Sequence, residues 1–183
     1  MAQSPLHWRR GPRASFLLSR DKGVYALLLR NGAILPGVEP GEDGMLYIGL
    51  GAGQKGFKGR CHFGKARTAN HSPRKSLAVL LMDELSLTPV LVTKPKGDQT
   101  WGLNPASDAR LTEWMYANLE LAIEVCANPH VRETELVCCH APPLNLNKCT
   151  QSAQHKKISD ARKEVMASLL GGYTPSSTRS ALI

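Results

Sequence analysis

Two short apolar runs constrain this chain most. Val24-Tyr25-Ala26-Leu27-Leu28-Leu29 and Met45-Leu46-Tyr47-Ile48-Gly49-Leu50 flank Pro36-Gly37-Val38-Glu39-Pro40-Gly41-Glu42-Asp43-Gly44, a stretch that only a loop accommodates. Two strands joined this way are expected to pair antiparallel. That expectation bears on Gly51-x-Gly53-x-x-Gly56, which follows the second strand and spells a dinucleotide-binding fingerprint. A dinucleotide fold needs a parallel βαβ unit and an acid about 20 residues beyond the glycines. Here that distance leads to Ser76, inside a stretch without acids, and Asp83 comes too late. The glycines are therefore read as turn residues. A nucleotide-binding oxidoreductase is set aside, and no small-molecule cofactor is expected.

The remaining elements follow from periodicity and punctuation. A helix is expected around Phe57 to Lys65, and a second begins at Ser72-Pro73, with Ser at the N-cap, Pro at N1 and Leu77, Leu80, Leu81 and Leu85 on one face. Val90 to Leu103 reads as a hairpin around the polar turn Lys94-Pro95-Lys96-Gly97-Asp98. Leu111 to Asn118 reads as a helix and Leu119 to Cys126 as a third core strand. Pro129 leads into a helix over Val131 to His140, which Pro142-Pro143 ends. An amphipathic helix is expected over roughly Ile158 to Leu170, followed by a Ser/Thr-rich tail without fixed structure. The fold class is α+β, a small and mostly antiparallel sheet of about three strands flanked by helices, with an added hairpin. The division expected is a basic extension over 1–20, a main domain over 21–149, a basic C-terminal helix over 150–170 packing on the same domain, and a tail over 171–183.

Charge indicates the partner. The 23 Lys and Arg outnumber the 15 Asp and Glu, giving a net charge of +8 that favours a polyanion. No acid occurs from Gly51 to Met82, whereas Lys55, Lys58, Arg60, Lys65, Arg67, Arg74 and Lys75 do. One strongly positive face is expected, with Lys55, Lys58, Lys65, Arg67, Arg74 and Lys75 tracking a nucleic-acid backbone. The cysteines Cys61, Cys126, Cys138, Cys139 and Cys149 show no disulfide-like regularity, and no apolar run approaches the roughly 20 residues of a membrane span. Reduced thiols in a cytoplasmic protein, away from membranes, are the expectation. Cys138, Cys139, His140 and Cys149 lack the usual spacing of a zinc site.

Gly23-Val24-Tyr25, Tyr47-Ile48-Gly49, Arg60, Glu133 and Asn145, in that order, resemble the GIY-YIG nuclease family. The stretch Glu133 to Asn145 (ETELVCCHAPPLN) resembles the family's closing element, a helix bearing a metal-binding Glu and a Pro-rich turn that delivers an Asn. The stretches SPRKSLAVLL and LTEWM are similar to a branch with restriction-type and small stand-alone members. The resemblance runs from about Asp21 to Cys149 and implies a divalent-metal-dependent endonuclease that hydrolyses DNA.

The resemblance also implies the roles. Glu133 would supply a carboxylate oxygen to Mg²⁺ or Mn²⁺, which takes only one or two carboxylates and keeps most of its waters. Arg60 would grip the scissile phosphate through its planar fork, with Arg67 as the alternative position. Tyr25 would deprotonate or orient the attacking water with support from Tyr47, and Arg60 and the metal are expected to bring its phenol down from about 10. Asn145 would lock the Glu-bearing helix to the site, with Asn147 its near competitor. Many members also carry a His shortly after the Arg; His62 and His71 are the candidates here. The alternative from another class is a nucleic-acid-binding module on the same scaffold with impaired cleavage. A sequence-specific restriction-type member would act as a homodimer, so that two sites cut two strands, whereas a repair nuclease needs only one copy.

Overall fold

The computed structural model describes residues 9–10, 20–60, 63, 67–146 and 153–171. His62, Lys65, Cys149, Asn147, most of the basic extension and the tail after Gly171 lie outside the described residues.

The central sheet is built from three seven-residue strands, β2 (Gly23–Leu29), β3 (Met45–Gly51) and β6 (Leu119–Val125). A two-residue edge strand, β1 (Arg9–Arg10), comes from the expected extension and completes the order β1-β6-β2-β3. All pairings are antiparallel, so the strand before the Gly51–Gly56 loop enters no parallel crossover unit. Strand β2 is central and wholly buried, which explains its unbroken apolar run. Its register sets Tyr25 opposite Gly49 and Leu27 opposite Tyr47, placing both tyrosines on one face. The register shifts between Leu27 and Leu28, where Leu46 is the extra residue of a bulge.

Alternation along β2 divides the core. Tyr25, Leu27 and Leu29 join the larger cluster with Leu77, Leu81, Leu111, Met115, Ile158 and Val165. Val24, Ala26 and Leu28 face Met45, Ile48, Ala122, Leu136 and Val137 on the other side. Four α-helices occur among the described residues: α1 (Ser72–Leu80), α2 (Pro105–Asn118), α3 (Pro129–His140) and α4 (Ala153–Gly171). The first, second and fourth cover the larger cluster, and α3 covers the smaller one through Leu136 and Val137. The hairpin β4 (Pro89–Thr93) and β5 (Gln99–Leu103) is a separate two-stranded sheet, with Trp101 and Leu103 in the larger core.

Two local expectations are corrected. Gly56–Gly59 is a single 3-10 turn, and Arg60 is its C-cap at φ −116 and ψ 49, so Arg60 follows a turn instead of riding on a helix. A stretch holding Gly51, Gly53, Gly56 and Gly59 has too little helix propensity to propagate a nucleus. The N-cap of α1 is His71, one residue earlier than expected, so Ser72 and Pro73 fill its first turn.

Candidate active site

Three chain segments converge at one end of the sheet. Gly23 begins β2 opposite both Val125, where β6 ends, and Gly51, where β3 ends. The turn carrying Arg60 leaves from the end of β3, and α3 starts shortly after β6. Sheet topology alone therefore brings the first tyrosine, the arginine and the glutamate into one neighbourhood.

The two phenols meet there. Tyr25 and Tyr47 have ring centroids 6.1 Å apart at an interplanar angle of 44°, and their hydroxyls hydrogen bond to each other. Gly49 makes this possible. A Cβ at that position would overlap the Tyr25 hydroxyl and lie 2.8 Å from Cε1 of Tyr47, so any larger residue would drive the phenols apart. Gly23 is equally confined, since a Cβ there would lie 2.8 Å from the Phe57 ring. The glycines of both triplets thus have packing causes as well as sequence prominence.

Charge surrounds the pair. Burial pushes Tyr25 well above the usual phenol value, Tyr47 adds to that rise, Arg60 opposes it, and Glu133 adds a smaller upward push. Burial also raises Tyr47, with Glu133 the next cause and Arg60 again opposing. Arg60 acts on the phenols in the expected direction, but burial outweighs it, and both are neutral at physiological pH in the protein alone. His71 is half-buried; burial, then the Arg74 and Arg60 cations, hold its imidazole below the usual value while Asp108 pulls the other way. Tyr25, Tyr47, Arg60, His71 and Glu133 are therefore tied together by mutual electrostatic influence.

Glu133 is 6% exposed, near the N-terminus of α3. The helix is braced on both sides of it. Arg132 donates from Nε to Oε1 of Glu124 at 2.8 Å and from Nη2 to Oε2 at 3.1 Å, a two-pronged link to strand β6. At the other end Ala141 adopts the left-handed conformation, and the chain turns through Pro142-Pro143 to Asn145. Asn145 is buried and bonds strand β3, not the helix: its Oδ1 accepts from Ile48 N at 2.8 Å and its Nδ2 donates to Ile48 O at 2.7 Å. Leu144 N donates to Leu46 O at 2.9 Å. The turn thus completes the free edge of β3 beside Tyr47 and holds α3 through it. His155 of α4 donates from Nε2 to Pro142 O at 3.1 Å, clamping the same turn from outside. No sequence pattern announces the roles of Arg132, Glu124 or His155, because each pair joins different elements: a helix to a strand, and a helix to a turn.

The structure divides the residues of the expected basic track. Lys55, Lys58, Arg60 and Arg67 are exposed. Arg74 is a correction: it is fully buried and ion-paired with Asp108 at 3.0 Å, and it also contacts Asp108 O, Thr112 Oγ1, Thr68 Oγ1 and Met115 Sδ. It ties α1 to α2 and offers nothing to a backbone phosphate. Lys75 is 8% exposed, its ammonium turned to Thr100 and the Trp101 ring instead of lying on the open track of Lys55, Lys58 and Arg67.

Among the described residues, no group of three or more His, Cys, Asp and Glu side chains is placed to hold a metal ion. Glu133, the only buried carboxylate among the described residues, does fit a hard, largely hydrated cation such as Mg²⁺. No helix among the described residues is long and apolar enough to cross a membrane.

The antiparallel sheet thus presents paired phenols, an arginine and a buried glutamate at one end. The chain matches the GIY-YIG catalytic domain over residues 38–164, well over half its length, and belongs to the GIY-YIG nuclease family. The match takes in Tyr47, Arg60, Glu133 and Asn145 but begins after Tyr25, whose place in the site rests on its pairing with β3. No curated protein and no solved structure matches the chain.

Proposed function

We propose that the chain is a divalent-metal-dependent endonuclease that hydrolyses DNA phosphodiester bonds. The observation that carries this reading is the convergence of Tyr25, Tyr47, Arg60 and Glu133, drawn from two strands, the turn after the second of them and one helix. Arg60, exposed at the rim, grips the scissile phosphate and offsets charge that develops on it. Glu133 holds Mg²⁺ or Mn²⁺, which when bound polarises the phosphoryl oxygen and stabilises the leaving group.

The Tyr25 hydroxyl orients the attacking water, and Tyr47 fixes that hydroxyl through their shared hydrogen bond. A phenol held above its usual value is a positioning group in the resting protein, not a base. His71, kept neutral beside Arg60, supplies a proton acceptor at neutral pH. Lys55, Lys58 and Arg67 contact the flanking backbone, with a steep dependence on salt.

Incubation of supercoiled plasmid with the full chain, in Mg²⁺ and in EDTA, tests this reading. Nicked or linear product in Mg²⁺ alone is expected. Intact plasmid in both Mg²⁺ and Mn²⁺, alongside salt-sensitive binding, would instead establish a binding module.

A further inference from the structure

Arg74 and Lys75 are neighbours on α1, both nearly excluded from solvent, and they are treated differently. Arg74 has the Asp108 carboxylate at 3.0 Å. Lys75 has none: its Nζ donates to Thr100 Oγ1 on the hairpin and stands 5.2 Å from the centroid of the Trp101 ring. Across from it on α4, Arg162 donates from Nη1 to Ser72 Oγ at 3.2 Å and Ser76 Oγ at 3.4 Å. Neither Lys75 nor Arg162 ion-pairs with a carboxylate among the described residues. The other nitrogens of Arg162 meet no side-chain acceptor there either.

Two cations drawn from a helix and a second helix, and left without an acid, oppose folding. Burial, then the Arg162 charge and then the more distant Lys94, lower Lys75 to about 8. Burial lowers Arg162 as well, with no carboxylate pulling it back. Partly buried cations normally recruit an acidic partner, as Arg74 does one residue away. What this pair lacks is an anion, and the surrounding hydroxyls of Ser72, Ser76 and Thr100 are groups that hydrogen bond an oxyanion.

The Arg162 side of the place is open, and Trp101, the ring beside the Lys75 ammonium, lies at the same opening. Arg162 lines, with Trp101, Ser159 and Lys163, an open depression of about 280 Å³. It also adjoins the cleavage centre, because Ser72 directly follows His71, which feels the Arg60 charge. The positive dipole end of α1 also lies at Ser72.

We propose that Lys75 and Arg162, with the Ser72 and Thr100 hydroxyls, seat a phosphate group, and that its source is a backbone phosphate of the bound nucleic acid beside the scissile one. The source rests on the nuclease reading; the phosphate chemistry does not. Stretching of the DNA between Arg60 and this seat fixes which bond enters the site.

The test compares the full chain with Lys75→Met and Arg162→Gln in two measurements. In thermal unfolding, inorganic phosphate is expected to raise the wild-type Tm over chloride at equal ionic strength, and to leave both variants unmoved. In chloride alone, Lys75→Met is expected to melt at or above the wild type, because a buried charge without a partner has been removed. In duplex-DNA binding without divalent metal, each variant is expected to bind several-fold more weakly and to lose about one unit of the salt slope. A phosphate response lost in the variants with duplex binding unchanged would overturn the backbone source and leave a seat for free phosphate. A phosphate response equal in all three proteins, or a Lys75→Met protein that melts earlier while binding DNA normally, would overturn the seat itself. Failure of the nuclease reading is separately visible as absence of cutting with the phosphate response intact.

Discussion

Asn145 grips Ile48 by both backbone polar atoms, its carboxamide accepting from the N–H at 2.8 Å and donating to the C=O at 2.7 Å. An amide side chain here does the work of a neighbouring strand, and it does so at the residue after Tyr47. Asn145→Ala leaves both Ile48 groups without this partner. A loss of about 1–3 kcal/mol in unfolding free energy is expected, measurable by urea titration, together with weaker cleavage. A change below about 0.5 kcal/mol would show the clamp to be dispensable.

Gly49 and Tyr25 compete for the same space. Gly49→Ala is expected to abolish most cleavage while costing about 1–3 kcal/mol of stability, the range for overpacking a filled site. Circular dichroism and plasmid assays on the same preparation check this. Wild-type turnover in the variant would mean that the phenols need not be held together.

Arg74 and the exposed bases should separate cleanly. Asp108→Asn strips the buried guanidinium of its counter-charge, and breaking a buried pair costs about 3–5 kcal/mol. Lys55→Ala, Lys58→Ala and Arg67→Ala should each change stability by less than about 0.5 kcal/mol, yet each should lower the salt slope of DNA binding by about 0.9. Denaturant titration and anisotropy measured across a salt series distinguish the two groups. A stable Asp108→Asn protein with weakened DNA binding would return Arg74 to the interface.

Lys75 gives a pH signature. Its ammonium faces Arg162 on α4, Lys94 on the hairpin and Thr100, and the fold lowers it to about 8 from an ordinary 10.5. Between those values the unfolded chain holds the proton more tightly, so the unfolding free energy rises with pH across that window. Below about pH 8 both states carry the proton and the destabilisation is fully present. Lys75→Met should flatten this rise, as read by denaturation at pH 7.5 and pH 9.5. An identical pH dependence in the variant would place the ammonium in ordinary solvent.

Much of the architecture was legible from local signals. The Pro/Gly loop between two apolar runs specified the β2–β3 hairpin, and the polar turn at Lys94–Asp98 specified the second one. Pro129 and Pro142-Pro143 bracketed α3 and so positioned Glu133 and Asn145. Most of the failures concern information that lies elsewhere along the chain. Arg74 looked like its basic neighbours because its acid, Asp108, comes from another helix. Arg60 looked helical because a single 3-10 turn and a helix start share the same residues. The edge strand at Arg9–Arg10 is held by backbone pairing to Ile123 and Ala122, which two arginines do not advertise. Likewise, the reach of Asn145 to β3 depends on the turn's path, where sequence showed only that an Asn follows two prolines.

The central claim is that Glu133, Arg60 and Tyr25 form one hydrolytic site. Plasmid cleavage in Mg²⁺, measured beside duplex binding for the wild type and for Glu133→Gln, Arg60→Ala and Tyr25→Phe, tests it most directly. Metal-dependent cutting by the wild type is expected, with cutting reduced at least about 100-fold in each variant, a range set by the loss of an electrostatic or proton-transfer group, while Glu133→Gln and Tyr25→Phe still bind DNA. Undiminished cutting by Glu133→Gln would contradict the account.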